Sequence, residues 1–173
     1  MSEMHRPIDI GALTDSGRAI DFVASPEECA AIATRLEIVA VRDLRVLGRL
    51  DPVRKGATAR FEARMTAAVT QRCVVSLDPV EADIDEMLHI RLVTEEQEQT
   101  SAELDLQPDE EDVEVVGAGL VDLGDICVQY LALALDPYPR RADLADTEVA
   151  LPEEIAEDVS NPFAVLKKLK DKA

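Results

Sequence analysis

The side chains best suited to nucleophilic or metal chemistry are few and lie far apart in this sequence. The cysteines are Cys29, Cys73 and Cys127, and the histidines are His5 and His89. The cysteines contain no Cys-x-x-Cys pair, and neither histidine has a ligand-like spacing with them. Their odd number also argues against a disulfide framework. We therefore expect no disulfides, no metal site and no cofactor.

Carboxylates are the other side chains that could do chemistry, and they are too numerous to indicate a site. The chain has 36 Asp and Glu residues, so some pair will always be close together. Catalytic acids need partly buried surroundings that shift their pKa, whereas these acids cluster in segments that look solvated. The sequence also lacks a glycine-rich phosphate loop, a Gly-x-Ser-x-Gly elbow and a His-Glu-x-x-His motif. We predict a non-enzyme, and the alternative is a hydrolase with paired carboxylates in a cleft.

The net charge of −18 restricts the partners that the protein can bind. An excess of carboxylates repels the phosphates of nucleic acids and of anionic membranes, and it attracts basic proteins. A simpler interpretation is that the acids only keep the protein soluble. The N-terminal segment has no signal-peptide h-region, and no apolar run is long enough to span a bilayer. We expect a cytoplasmic protein with reduced thiols.

Two helices are predicted by their end signals. The densest apolar segment begins at Asp122, a helix-capping residue, with Asp125 in a capping-box position, and Pro137 ends the segment. This predicts a helix over residues 122–135. The second helix, over residues 26–36, has Ser25 as its N-cap and Glu28 completing a capping box. Cys29 falls on its apolar face and is predicted to be a core residue.

Apolar and polar residues alternate with a period of two through most of residues 37–93, which is typical of half-buried strands. Short connections between these runs favour antiparallel pairing. His89 falls on the polar face. The fold class we predict is α+β: a curved or barrel-like antiparallel sheet packed by two main helices, with acidic flexible loops and a short C-terminal helix.

The central part of the chain is also rich in basic residues, which would lie on the exposed faces of these strands. Two interpretations are open: pairing with Glu62, Asp43 and Asp51 across strands, or a patch that contacts RNA. Pairing is the favoured one. The residues concerned are Arg42, Arg45, Arg49, Arg54, Lys55, Arg60, Arg64 and Arg72.

Two acidic stretches set the predicted domain limits. Residues 94–116 carry many acids and no aromatic residue, so we expect a flexible loop within a single domain over residues 1–142. Residues 143–173 are predicted to be an acidic linker followed by a short amphipathic helix. Four lysines, Lys167, Lys168, Lys170 and Lys172, lie near the end of that helix, where cations suit the helix dipole. This helix either docks on the domain or waits for a partner.

Three sequence blocks resemble motifs of the YceD family, the bacterial large ribosomal RNA subunit accumulation proteins, in its alphaproteobacterial type. The first block contains Gln71, Arg72 and Cys73, followed by Leu77-Asp78-Pro79. The second begins with Asp122 and Leu123 and ends at Leu135-Asp136-Pro137. The third contains Asn161, Pro162, Phe163 and Leu166. Many members of the family carry two cysteines in the first block, but here Thr70 stands in place of the first. The resemblance therefore does not imply a metal site in this chain, and we expect Cys73 to pack in the sheet.

The resemblance implies a role in the synthesis, processing or stability of 23S rRNA. Combined with the acidic charge, it favours a non-enzymatic factor that binds a basic protein of the large ribosomal subunit or of its assembly machinery. Direct contact with RNA is possible but not favoured. The alternative is a general acidic adaptor or chaperone-like protein that binds basic partners unrelated to ribosomes.

Overall fold

The computed structural model describes residues 3–53, 58–94 and 112–144. It is an α+β structure, as predicted, with seven strands and two α-helices among these residues. The strands are β1 (Pro7–Asp9), β2 (Arg18–Val23), β3 (Ala40–Val53), β4 (Thr58–Arg72), β5 (Pro79–Thr94), β6 (Asp112–Val116) and β7 (Leu120–Asp122). The helices are α1 (Pro26–Arg35) and α2 (Leu123–Ala134), and short 3-10 turns cover Ile10–Ala12, Gly117–Gly119 and Ala142–Leu144.

The main sheet has five strands in the order β2-β3-β4-β5-β6, and β1 pairs with β7 in a separate antiparallel ribbon. Strands β2 to β5 are antiparallel neighbours, which confirms that part of the prediction. β6 instead runs parallel to β5, so the sheet is mixed and the purely antiparallel prediction was wrong. Short turns join antiparallel neighbours, whereas the long connection before β6 has room for a parallel crossover. In the described part of the chain β2 and β6 are edges, and a closed barrel is not found.

The predicted acidic loop is shorter than residues 94–116. Thr94 still belongs to β5, and residues 112–116 form β6. Val113, Val115 and Val116 explain the difference, because β-branched side chains suit a strand even between acidic residues. The remaining residues, 95–111, lie outside the described part. The chain divides into two units after Arg141, and all elements except the last 3-10 turn belong to the first. The predicted limits of 1–142 and 143–173 stay predictions.

Both helices begin at the predicted caps. Ser25 Oγ accepts the Glu28 N–H at 3.2 Å, and Glu28 Oε2 accepts the Ser25 N–H at 2.8 Å, which completes the capping box. Asp122 Oδ1 accepts the Gly124 N–H at 3.0 Å at the start of α2. Asp125 does not form the second half of a box, since its carboxylate accepts hydrogen bonds from Arg35 and Gln129.

One apolar core lies between the helices and a single face of the sheet. Alternate residues of the long strands are mostly buried, and these side chains join the buried faces of α1 and α2 in one cluster. Cys29 and Cys127 belong to it, as expected of Cys29. The largest fully buried strand residues are Leu44, Leu50, Phe61, Met65, Ile90 and Leu92. The opposite face of the sheet, which we call the outer face, is left without a covering helix in the described part.

The outer face carries the basic residues of the strands, and most of them are paired with acids. Arg42 contacts Glu81 at 2.9 Å and Arg45 contacts Asp21 at 3.0 Å, both across strands. Other pairs are Arg49 with Asp51 and Arg64 with Asp85. Pairing across strands is therefore found, but with acids other than the three expected, since Asp51 pairs with Arg49 of its own strand and Glu62 and Asp43 form none of these ion pairs. Arg54 and Lys55 lie outside the described residues. His89 is exposed, as predicted.

Candidate functional site

The first two sequence blocks meet at one place in the fold, although they are far apart in the sequence. β4 ends at Arg72, and a tight loop over residues 73–78 leads into β5. The segment after α2, residues 136–141, packs against this loop. We call the combined region, residues 71–78 and 136–141, the motif junction.

Three hydrogen bonds hold the two halves of the motif junction together. The Gln71 side-chain Nε2 donates to the Asp136 carbonyl at 2.9 Å, and the Val74 N–H donates to the Pro139 carbonyl at 2.9 Å. Arg141 Nη1 donates to Asp78 Oδ2 at 2.7 Å in an exposed ion pair. Because Gln71 is buried, its hydrogen bond to Asp136 replaces the hydrogen bond to water that its side chain loses on folding. The junction is thus fixed from both sides.

The loop has a compact internal structure. The Cys73 N–H donates to the Asp78 carbonyl at 2.8 Å, and the Leu77 N–H donates to the Cys73 carbonyl at 3.0 Å. Leu77 has φ of 64°, a left-handed conformation that is uncommon for a residue with a side chain. Pro79 then begins β5, where its missing N–H is tolerated. The loop therefore holds Leu77 in a strained conformation and points hydrophobic residues outward.

Cys73 lies inside this loop, one residue beyond β4. Its side chain is fully buried, but it lies in the loop beyond the sheet and apart from the main core cluster. The Ser76 N–H lies 3.5 Å from Sγ. Hydrogen bonds from the Ser76 side chain and backbone, together with the Arg141 N–H, lower the pKa of Cys73 to about 6. The donors around Sγ thus favour the thiolate form of this cysteine.

The surface of the motif junction combines apolar and cationic side chains. Val74, Val75, Leu77 and Tyr138 are 47%, 55%, 66% and 72% exposed. Arg72 and Arg140 are exposed as well, and neither makes an ion pair within the described ranges. Exposed apolar side chains grouped with arginine are typical of protein contact sites. The sequence blocks did not single out Val74, Val75 or Tyr138, because only folding brings these residues together.

Asp122 and Leu123 lie at the opposite end of α2, about 18 Å from its exit for a helix of twelve residues. Leu123 is fully buried in the core. Asp122 accepts the Arg6 N–H at 2.7 Å and a hydrogen bond from His5 Nδ1 at 2.6 Å. These residues therefore attach the N-terminal segment to α2, and the structure does not bring them to the motif junction.

The electrostatics of Asp122 fit that role. Burial alone would raise the pKa of its carboxyl, but the hydrogen bonds from Arg6 and His5 outweigh burial and lower it. Arg6 also forms a two-point ion pair with Glu28, at 2.7 and 2.9 Å, which lowers the pKa of Glu28. No sequence spacing indicates these partners, since they lie more than 20 residues apart.

The paired-acid alternative predicted acids with raised pKa. Every carboxyl pKa that departs from its usual value in the described ranges departs downward. A general acid needs the opposite shift near neutral pH. Among the same residues we find no group of three or more His, Cys, Asp or Glu side chains placed to hold a metal ion. None of the described helices is long and apolar enough to cross a membrane.

The third block lies outside the described residues. Asn161, Pro162, Phe163 and Leu166 therefore remain candidates on sequence grounds alone.

Comparisons with known proteins gave one match. The family model described as large ribosomal RNA subunit accumulation protein YceD matches residues 61–170, which is more than half of the chain and includes all three blocks. No curated protein and no solved structure matches significantly.

Proposed function

The chain belongs to the YceD family of large ribosomal RNA subunit accumulation proteins, and on this premise we propose that it is a non-enzymatic ribosome-biogenesis factor supporting the synthesis, processing or stability of 23S rRNA. The observation that carries the proposal is the family match over residues 61–170. Ribosome assembly would place the protein in the cytoplasm, where its three free cysteines stay reduced.

The proposed mode of action is contact with a basic protein of the large subunit or of its assembly machinery. The net charge of −18 opposes close approach to RNA phosphates and accelerates encounter with a basic protein. The outer face supports this view, because its arginines are largely neutralised by Glu81, Asp21 and Asp85. Few cations there are left for a phosphate backbone.

The motif junction is the proposed contact surface. Val74, Val75 and Tyr138 supply apolar area, and Arg72 supplies a charge without a nearby acid partner in the described ranges. Aromatic and arginine side chains contribute most of the binding energy at many interfaces. Because hydrogen bonds fix the junction in advance, little ordering is needed on binding. In this proposal Gln71, Cys73, Asp122 and Leu123 stabilise the surface or the fold, and Asn161, Pro162, Phe163 and Leu166 add a second contact.

The experiment is a rescue of cells that lack the protein, with the ratio of 23S to 16S rRNA as the readout. The junction variant combines Val74→Ser, Val75→Ser and Tyr138→Ser. The control combines Val23→Ser with Leu47→Ser, two residues of similar exposure on the outer face. We expect the control to restore the ratio and the junction variant to fail while remaining folded. Equal restoration by both would contradict the proposed contact surface.

The acidic adaptor remains a second candidate function, and the net charge favours it. Such a protein would bind many basic partners with little selection. Its complexes would dissociate at moderate salt, because charge attraction is screened within about 8 Å at physiological ionic strength. A ribosome-specific factor anchored by apolar contacts would keep its partner under the same conditions.

A further inference from the structure

β5 is longer than the strand that covers it. It runs over Pro79–Thr94, whereas β6 pairs only with Ile90–Thr94. On the side facing away from β4, the stretch from Pro79 to His89 has no partner strand in the described part of the chain. We call this stretch the free edge. Its outward N–H and C=O groups have no strand partner among the described residues, which makes this stretch a template for strand addition.

The free edge is strongly acidic. Glu81, Asp83, Asp85 and Glu86 all lie on it and are exposed. Glu81 is paired with Arg42 of β3 and Asp85 with Arg64 of β4, but Asp83 and Glu86 make no ion pair with any described residue. The edge therefore presents carboxylates that a basic ligand could neutralise.

A shallow groove lies beside the free edge, between β5 and α2. Its volume is about 260 Å³, and Met87, Leu88, Tyr130 and Leu133 are among its lining residues. Leu133 is 79% exposed at the rim of the groove. The Tyr130 hydroxyl donates to Asp112 at 2.8 Å, where β6 begins. The groove thus offers apolar contact next to the unpaired backbone groups.

We propose that the free edge of β5 binds an extended, basic segment of a partner protein by strand addition. This inference rests on the proposed function and specifies the chemistry of the partner. The segment pairs its backbone with alternate residues of the edge, which supplies affinity without regard to sequence. Its lysines or arginines lie on the outer face beside Asp83, and its alternate apolar side chains lie on the groove side beside Leu133, where Glu86 also lines the groove.

Charge argues against two other occupants. A second copy of this chain would bring another acidic edge against the first, and like charges placed opposite each other are destabilising. An RNA strand would bring phosphates to the same carboxylates. A third occupant to consider is the basic C-terminal segment of this chain. The experiment below distinguishes it from a partner protein. Its lysines are Lys167, Lys168, Lys170 and Lys172.

The experiment follows backbone amide resonances of the full-length protein by NMR during titration with a synthetic peptide. The probe has about eleven residues, alternating lysine and valine, which matches the length of the free edge from Pro79 to His89. A second peptide replaces the valines by prolines, so that it keeps its charge but loses its paired N–H groups. We expect the first peptide to shift and protect amides of residues 79–89, and the second to bind at least about tenfold more weakly. Equal binding of the two peptides, or shifts confined to other regions, would overturn the inference.

Charge-reversal variants test the acids. Asp83→Lys with Glu86→Lys should weaken binding of the lysine-valine peptide by at least about tenfold. The control, Asp15→Lys with Glu27→Lys, changes the net charge equally at exposed acids away from the edge and should retain most of the binding. If both pairs weaken binding equally, the attraction is nonspecific and the inference fails.

Exchange of the four tail lysines for glutamine tests the internal occupant. If these changes shift the resonances of residues 79–89 without peptide and increase peptide affinity, the tail occupies the edge, and the partner inference is wrong. If they leave both unchanged, the inference stands. Absence of peptide binding, combined with a loss of 23S rRNA in cells lacking the protein, would refute strand addition at the free edge but not the proposed function. Peptide binding with normal 23S rRNA would refute the proposed function alone.

Discussion

Cys73 and Asp122 show how single residues of the sequence blocks are held by donors from other segments. Cys73 receives hydrogen bonds from Ser76 in its own loop and from the Arg141 N–H beyond α2. Asp122 accepts hydrogen bonds from His5 and Arg6. Local sequence was enough to predict the capping role of Asp122. It was not enough for the low pKa of Cys73, because one donor lies 68 residues away and becomes a neighbour only after folding.

The low pKa of Cys73 predicts a dependence of stability on pH. The folded value is about 6 and the usual value is 9.0, so folding favours the thiolate. A group whose pKa is lower in the folded state contributes its full stabilisation at pH values above its pKa in the unfolded state. That contribution is lost as the pH falls towards its pKa in the folded state. We expect the free energy of unfolding of the wild type to rise, relative to Cys73→Ser, between pH 6 and pH 9. Urea unfolding under reducing conditions measures this difference.

Cys29→Ala is the matched control for this measurement. Burial raises the pKa of Cys29, so its contribution is present at low pH and declines as pH rises past the unfolded value. Between pH 6 and pH 9 the Cys29→Ala difference should therefore stay nearly constant while the Cys73→Ser difference grows, and the Cys29→Ala difference should decline only above pH 9. A Cys73→Ser difference that stays constant or shrinks from pH 6 to pH 9 would contradict the thiolate assignment.

At the scale of elements, α2 organises the fold through close contact at its first turn. The N-terminal segment crosses the helix at Gly124, where the Met4 carbonyl approaches the backbone. The helix bounds were predictable, since caps and prolines are local signals. The period of two likewise predicted β3, β4 and β5. The parallel β6 was not predictable, because local composition does not show which edge a strand joins after a long connection.

Gly124→Ala tests the contact between α2 and the N-terminal segment. A Cβ at this position would lie 1.9 Å from the Met4 carbonyl oxygen, so the segment has to move. We expect destabilisation by about 1–3 kcal/mol despite the better helix propensity of alanine. Gly117→Ala is the control, since a Cβ there meets no atom within 4 Å. Its effect should stay within about 0.5 kcal/mol. Thermal or urea unfolding of both variants provides the comparison, and equal stabilities would show that the close approach is absent in solution.

At the scale of the whole molecule, different segments of the chain carry different exposed charges. Several arginines of the outer face are paired with acids, the free edge of β5 keeps carboxylates exposed, and the C-terminal lysines follow the third sequence block. Composition alone predicted a preference for basic partners. It did not locate the motif junction, which depends on tertiary contacts such as Gln71 with Asp136.

The C-terminal block gives a prediction at this scale. We expect Phe163→Ala with Leu166→Ala to leave the domain folded, because a short amphipathic helix contributes little stability of its own. The same variant should rescue 23S rRNA poorly, since its apolar contacts with the partner are lost. Circular dichroism and the rRNA ratio measure the two effects. Unfolding of the domain would instead make this segment a structural clasp and refute its role in interaction.

The most direct test of the central claim is the ratio of 23S to 16S rRNA in the native cell, with and without this protein. We predict a selective fall in 23S rRNA when the protein is removed, and recovery when the wild-type chain is restored. An unchanged ratio would contradict a role in large-subunit rRNA accumulation and would leave the acidic adaptor as the better account.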